Sequence, residues 1–124
     1  MDLVETYKES IIQKKSFEFA VRIVNLYKNL SKTNDTIILK QLLRSATSIG
    51  ANVNEGSAGQ TRRDFITKMS IASKEARETL YWLKLLSETK YYDIDLKSYY
   101  DECSELVKIL TKIMKTSQAS IIKN

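Results

Sequence analysis

The chain has no histidine and no proline, three glycines (Gly50, Gly56 and Gly59) and a single cysteine, Cys103. Without histidine, the commonest general base and the commonest transition-metal ligand are gone. The Glu-x-x-His pairs that hold a di-iron centre in a helical bundle go with them. A β-sandwich or barrel needs turn formers every ten or so residues. With no proline and so little glycine, long helices are expected instead. One cysteine leaves no internal disulfide, which suits a reducing cytoplasm. No stretch approaches the roughly 18 consecutive apolar residues of a membrane span. The opening MDLVETYKESIIQKK is amphipathic and mixed in charge. Neither a signal peptide nor a membrane helix is therefore expected, and the expected location is cytoplasmic.

What is present is ordinary for a soluble globular chain: 124 residues, 43% hydrophobic and 28% charged. That length predicts one domain over 1–124, large enough to bury a sizeable core. Twenty Lys and Arg against 15 Asp and Glu give a net charge of +5. Such an excess is compatible with nucleic acid, with anionic lipid, or with solubility alone.

Apolar residues recur at spacings of three and four in four stretches, the signature of helices that lay one face on a core. The first runs from about Ser10 to Leu30, with Phe19, Ile23, Leu26, Tyr27 and Leu30 inward. Phe17, Ala20, Val21 and Val24 widen its apolar surface and predict contact with more than one neighbour. The second runs from about Ile37 to Asn54, with Leu39, Leu42, Leu43, Ala46, Ile49, Gly50 and Val53 on one side. Asn34, Asp35 or Thr36 is positioned to cap it. Gly56 or Gly59 is expected to end it in the left-handed conformation. Thr61, three residues before Asp64, resembles a capping box for the third helix, about Arg62 to Thr89. Phe65, Met69, Ala72, Ala76, Leu80 and Leu83 form that helix's stripe. Asp93 or Asp95 caps the fourth, about Leu96 to Thr116, whose seam is Tyr99, Cys103, Leu106, Leu110, Ile113 and Ser117. The ends, about 1–9 and 118–124, are expected to fray. Short breaks between long helices predict an all-α, antiparallel up-down-up-down four-helix bundle.

No arrangement of residues announces catalysis. Cys103 lacks a histidine to activate it and sits in a helix seam, as a structural thiol does. Gly56-Ser57-Ala58-Gly59 lacks the Gly-Lys-Ser/Thr that completes a phosphate-binding loop. Glu75 and Glu78 are spaced as many solvated carboxylate pairs are. No metal, no cofactor and no enzymatic activity are expected.

The basic residues are more informative. Arg63, Lys74, Arg77 and Lys84 fall on one side of the third helix, and Lys40 and Arg44 lie four apart on the polar side of the second. Cations a turn or more apart can follow a phosphate backbone without reading bases. The alternative is a solvated face, with pairs such as Lys84 and Glu88 cancelling. Arg44, Ser48, Asn52 and Glu55 also make a polar ladder able to fix the register of an interhelical or subunit seam. Ile71 and Trp82 lie together away from the third helix's core stripe, bordered by Asp64, Lys68, Glu75 and Glu78. That pattern fits a protein–protein interface, or a patch covered by the first or fourth helix.

The stretch LLRSATSIGANVNEG, followed by DFITKMSIASKEARETLYWLKLL, resembles the bacterial four-helix-bundle family also known as the 23S ribosomal RNA intervening-sequence proteins. The likeness covers about Phe17 to Met114. Its most specific portions are Arg44-Ser45-Ala46 through Glu55-Gly56, then Asp64-Phe65-Ile66 and Glu78-Thr79-x-Tyr81-Trp82-Leu83. It implies an antiparallel four-helix bundle assembled as a homopentamer. It also implies kinship with the accessory variability protein of diversity-generating retroelements, a basic pentameric barrel that binds a reverse transcriptase and nucleic acid. Two features depart from the pattern. Ser31-Lys32-Thr33-Asn34 stands where the family often has Phe-Pro, and +5 is less basic than the retroelement relatives. The resulting expectation is a homo-oligomer binding RNA or DNA backbone through Lys40, Arg44, Arg63, Lys74, Arg77 and Lys84, with Ile71, Glu75, Glu78 and Trp82 at subunit contacts. The alternative is a scaffold that docks a partner protein such as a reverse transcriptase.

Overall fold

A computed structural model describes the backbone of residues 3–59 and 61–123, and the side chains of 11–59 and 61–119. Four α-helices account for nearly all of it: α1 (Leu3–Leu30), α2 (Ile37–Ser57), α3 (Arg62–Glu88) and α4 (Lys97–Lys123). Each packs on the next, and α4 returns to α1, with α2 against α3 the most extensive seam. The diagonal pairs stay apart among the described residues. Cross-links between neighbours run in reverse sequence order. Lys15 meets Glu105 and Arg22 meets Glu102 between α1 and α4. Glu55 meets Lys68, and Arg44 meets Glu75 and Glu78, between α2 and α3.

The caps follow from short polar side chains placed before apolar runs. Thr36 Oγ1 accepts from the Leu39 amide at 3.1 Å, and Thr61 Oγ1 accepts from the Asp64 amide at 3.0 Å. Each satisfies one of the donors that a helix start leaves unpaired. Asp95 Oδ1 accepts from the Lys97 amide at 2.9 Å at the start of α4. Two turns are also tied to each other. Tyr92 donates its hydroxyl proton to the Asn34 carbonyl, so Thr36, 3.2 Å away, must be the donor to Tyr92.

Phe19, Ile23, Leu39, Leu42, Ile49, Met69, Leu83, Leu106 and Leu110 fill the core, together with Ile12, Leu86, Tyr92 and Leu96. Ser16, Ser45, Ser73, Thr79 and Ser117 are buried with them, and Ser45 and Thr79 share a 2.9 Å hydrogen bond across the α2–α3 seam.

Several expectations need correction. No glycine adopts the left-handed conformation. α2 runs on through Gly56 to Ser57, where a helix end at Asn54 was expected. What Gly56 supplies is proximity. A Cβ there would lie 2.7 Å from Met69 Cε and 2.9 Å from Lys68 Cβ, so α2 and α3 meet closely only because it has none. Gly50 lets α1 approach in the same way, since a Cβ would stand 3.3 Å from the Ser16 carbonyl oxygen. The left-handed position is instead Lys90 (φ 50°). There the Lys90 amide bonds to the Ser87 carbonyl and the Tyr91 amide to that of Leu86. That is the double bond pattern with which glycine usually closes a helix. The backbone is helical from Leu3 and as far as Lys123, and the expectation that the ends fray falls on segments where Met1, Asp2, Asn124 and the side chains of 1–10 and 120–124 lie outside the described residues. α1 does meet two neighbours, α2 and α4, as expected, while Phe17, Val21 and Val24 stay 68%, 44% and 38% exposed.

Candidate functional site

The outer face of α3 is set by the helix period. Its buried stripe, Phe65, Met69, Ala72, Ala76, Leu83 and Leu86, fixes which side meets the core. At 100° per residue Arg63 and Lys74 fall opposite that stripe, while Arg77 and Lys84 lie toward one flank, Lys84 lining a groove with Glu88, Asp95 and Asp101; all four are exposed. From Arg63 to Lys84 the row extends about 31 Å at 1.5 Å per residue. None of the four makes an ion pair or side-chain hydrogen bond among the described residues, and Lys84 does not pair with Glu88.

The two expected cations on α2 are placed differently. Arg44 reaches across to α3, where its guanidinium bonds to both Glu75 oxygens at 3.1 and 3.3 Å, to Glu78, and to Gln41 on its own helix. The Glu78 hydrogen bond, foremost, holds the guanidinium charged. Burial, more than the adjacent Glu78, pushes the Glu75 carboxyl up, against the pull of Arg44. Lys40 has Asp35 3.8 Å away, a loose exposed pair. The structure thus brings Arg63, Lys74, Arg77 and Lys84 into one unneutralised row and leaves Lys40 and Arg44 each beside an acid.

The polar ladder on α2 divides. Its ends cross to α3, Arg44 to Glu75 and Glu78, and Glu55 to Lys68 at 3.2 Å. Its middle stays at home, with Ser48 donating to the Arg44 carbonyl and Asn52 to that of Ser48. Of the expected interface residues, Glu75 and Glu78 are therefore engaged by Arg44. Trp82 is partly buried against the core, with its indole N–H unpartnered, and Ile71 is 36% exposed.

A larger apolar surface lies elsewhere. Phe17, Val21 and Val24 form a strip on α1, and beside it a cavity of about 400 Å³ opens between α1 and α2, lined by Phe17, Ala20, Thr47, Gly50 and Ala51. Helical periodicity flagged the strip as apolar but could not show that no helix of the same chain covers it.

Cys103 is buried, and desolvation pushes its thiol up to about 12, so it is not a thiolate at neutral pH. Its sulfur lies 3.3 Å from the Ala76 carbonyl. Among the described residues, no group of three or more acidic or cysteine side chains is placed to hold a metal ion. No helix there is long and apolar enough to cross a membrane.

The molecule is thus an all-α, four-helix protein with a basic outer face on α3 and an apolar face on α1. The profile of the 23S rRNA-intervening sequence proteins matches residues 8–112, and the chain belongs to that family. It is similar in structure to a protein of unknown function from the S23 ribosomal protein family of Bacteroides thetaiotaomicron. The two are 48% identical, with a TM-score of 0.80 over 87% of this chain and 98% of that one. No match is found among curated proteins.

Proposed function

We propose that this protein is a non-enzymatic homo-oligomer, an antiparallel up-down-up-down bundle assembled as a pentamer in the cytoplasm, that binds the backbone of RNA or DNA through the outer face of α3. The observation that carries the binding is the row Arg63, Lys74, Arg77 and Lys84, exposed and unneutralised among the described residues. Repetition of that row around a ring turns weak contacts into useful affinity. The reverse-order cross-links between neighbouring helices support the antiparallel arrangement. The uncovered strip Phe17, Val21 and Val24, with the cavity beside it, supports association between copies. The family's name, which refers to an intervening sequence of 23S rRNA, agrees with an RNA partner.

The test is binding to ribosomal RNA fragments over a salt series. Affinity should fall steeply, by roughly 0.7 to 0.9 log units per log unit of salt for each phosphate neutralised. Reversing Arg63, Lys74 and Arg77 to Glu should abolish it. Binding that ignores salt, or no binding at low ionic strength, overturns the reading.

A second reading is a scaffold or accessory subunit that docks a partner protein, such as a reverse transcriptase, through the apolar strip on α1. A partner complex that survives the charge reversal while nucleic-acid retention is lost would favour it.

A further inference from the structure

The basic row on α3 contains an aromatic residue that the charge argument leaves unused. Tyr81 lies four residues after Arg77 and three before Lys84, the spacings at which helix side chains are neighbours. At 100° per residue it falls on the same outer side as Arg63 and Lys74. It is 59% exposed, and its hydroxyl makes no hydrogen bond among the described residues. Trp82 meets its ring edge-on, with centroids 5.0 Å apart and planes at 73°. The result is an aromatic surface fixed by a partly buried neighbour, bracketed along the helix by two unpaired cations, with open solvent beyond it.

A duplex gives such a ring little to stack on, because its bases are already stacked on one another and show only their edges in the grooves. An unpaired strand gives more, since every exposed base offers a face to stack, and cations on either side of the ring can take the flanking phosphates. We infer that the α3 face binds unpaired nucleic-acid strand, with Tyr81 as the stacking platform for one base and Arg77 and Lys84 on the phosphates beside it. This deepens the proposed function and rests on it.

The experiment uses the full chain with four probes: oligo(dT), oligo(U), and DNA and RNA duplexes of equal length. Binding is followed by anisotropy and by the emission of Trp82, the single tryptophan. The single strands should bind more tightly than the duplexes and should quench Trp82. Tyr81→Ala should weaken single-strand binding by roughly 5- to 150-fold, leave the salt dependence as it was, and barely change duplex binding. Tyr81→Phe, which keeps the ring, should bind as the native chain does. Equal affinity for duplex and single strand, or an unchanged affinity in Tyr81→Ala, overturns the stacking inference while leaving backbone binding intact. If none of the probes binds at low salt, the proposed function falls and the inference with it.

Discussion

Arg44 shows how a charge that reads as a surface contact from its spacing becomes a fastening between helices. Its guanidinium fork spans two carboxylates three residues apart on α3, a geometry that lysine cannot reproduce. Removing it leaves Glu75, whose carboxyl burial already pushes up, beside Glu78 with no cation between them. Arg44→Ala should therefore cost about 1 kcal/mol at pH 7, the scale of a partly screened pair. The pH dependence has a definite sign. Loss of Arg44 raises the folded-state pKa of Glu75 further above its unfolded value. A carboxyl shifted that way makes stability rise as pH falls through the interval between the two values. Urea denaturation at neutral pH and in the acid range where glutamate titrates should show the cost shrinking in acid. An equal cost at both would mean that the arginine acts through packing alone.

Among the elements, glycine and lysine occupy positions that an ordinary reading of helix ends would exchange. Gly56→Ala adds a helix-favouring methyl worth about 1 kcal/mol. That methyl would lie 2.9 Å from Lys68 Cβ, an atom close to the α3 backbone. The net effect should be a loss of about 1–3 kcal/mol, as for other over-packed contacts. Lys90→Gly relieves a left-handed backbone and should gain up to about 1 kcal/mol. Thermal denaturation of the two variants, shifting in opposite directions, checks the pair. Thr61 was legible, and Thr36 and Asp95 stood among two or three neighbouring alternatives, because a cap is a local arrangement written in a few consecutive residues. The function of Gly56 was not, because the atoms it makes room for belong to another helix. Ile12 was missed because it follows a polar segment, and Tyr92 because it lies in a turn, although both are buried. The basic row on α3 was legible because period alone places it outside the core stripe. The engagement of Arg44 was not, since it depends on how α2 and α3 are aligned.

For the whole molecule, the distinction that periodicity cannot draw is between an apolar face that packs into its own core and one that stays open. Phe17, Val21 and Val24 recur as core residues do, yet they stand open. Phe17→Glu places a charge on that strip without disturbing the buried side of α1. Its effect on the stability of a monomer should stay within about 0.5 kcal/mol. With the strip as the subunit contact of the proposed homo-oligomer, native mass or light scattering should nevertheless show that assembly falling to smaller species. An unchanged mass would move the subunit contact elsewhere, with Ile71 and Trp82 the next place to look.

The relay from Thr36 through Tyr92 to Asn34 joins the connection ahead of α2 to the one ahead of α4 by a single line of hydroxyl protons. Neither connection can swing away without breaking the other's lock. That pole of the molecule therefore loosens as one piece, and a substrate or partner gripping either connection would stiffen both.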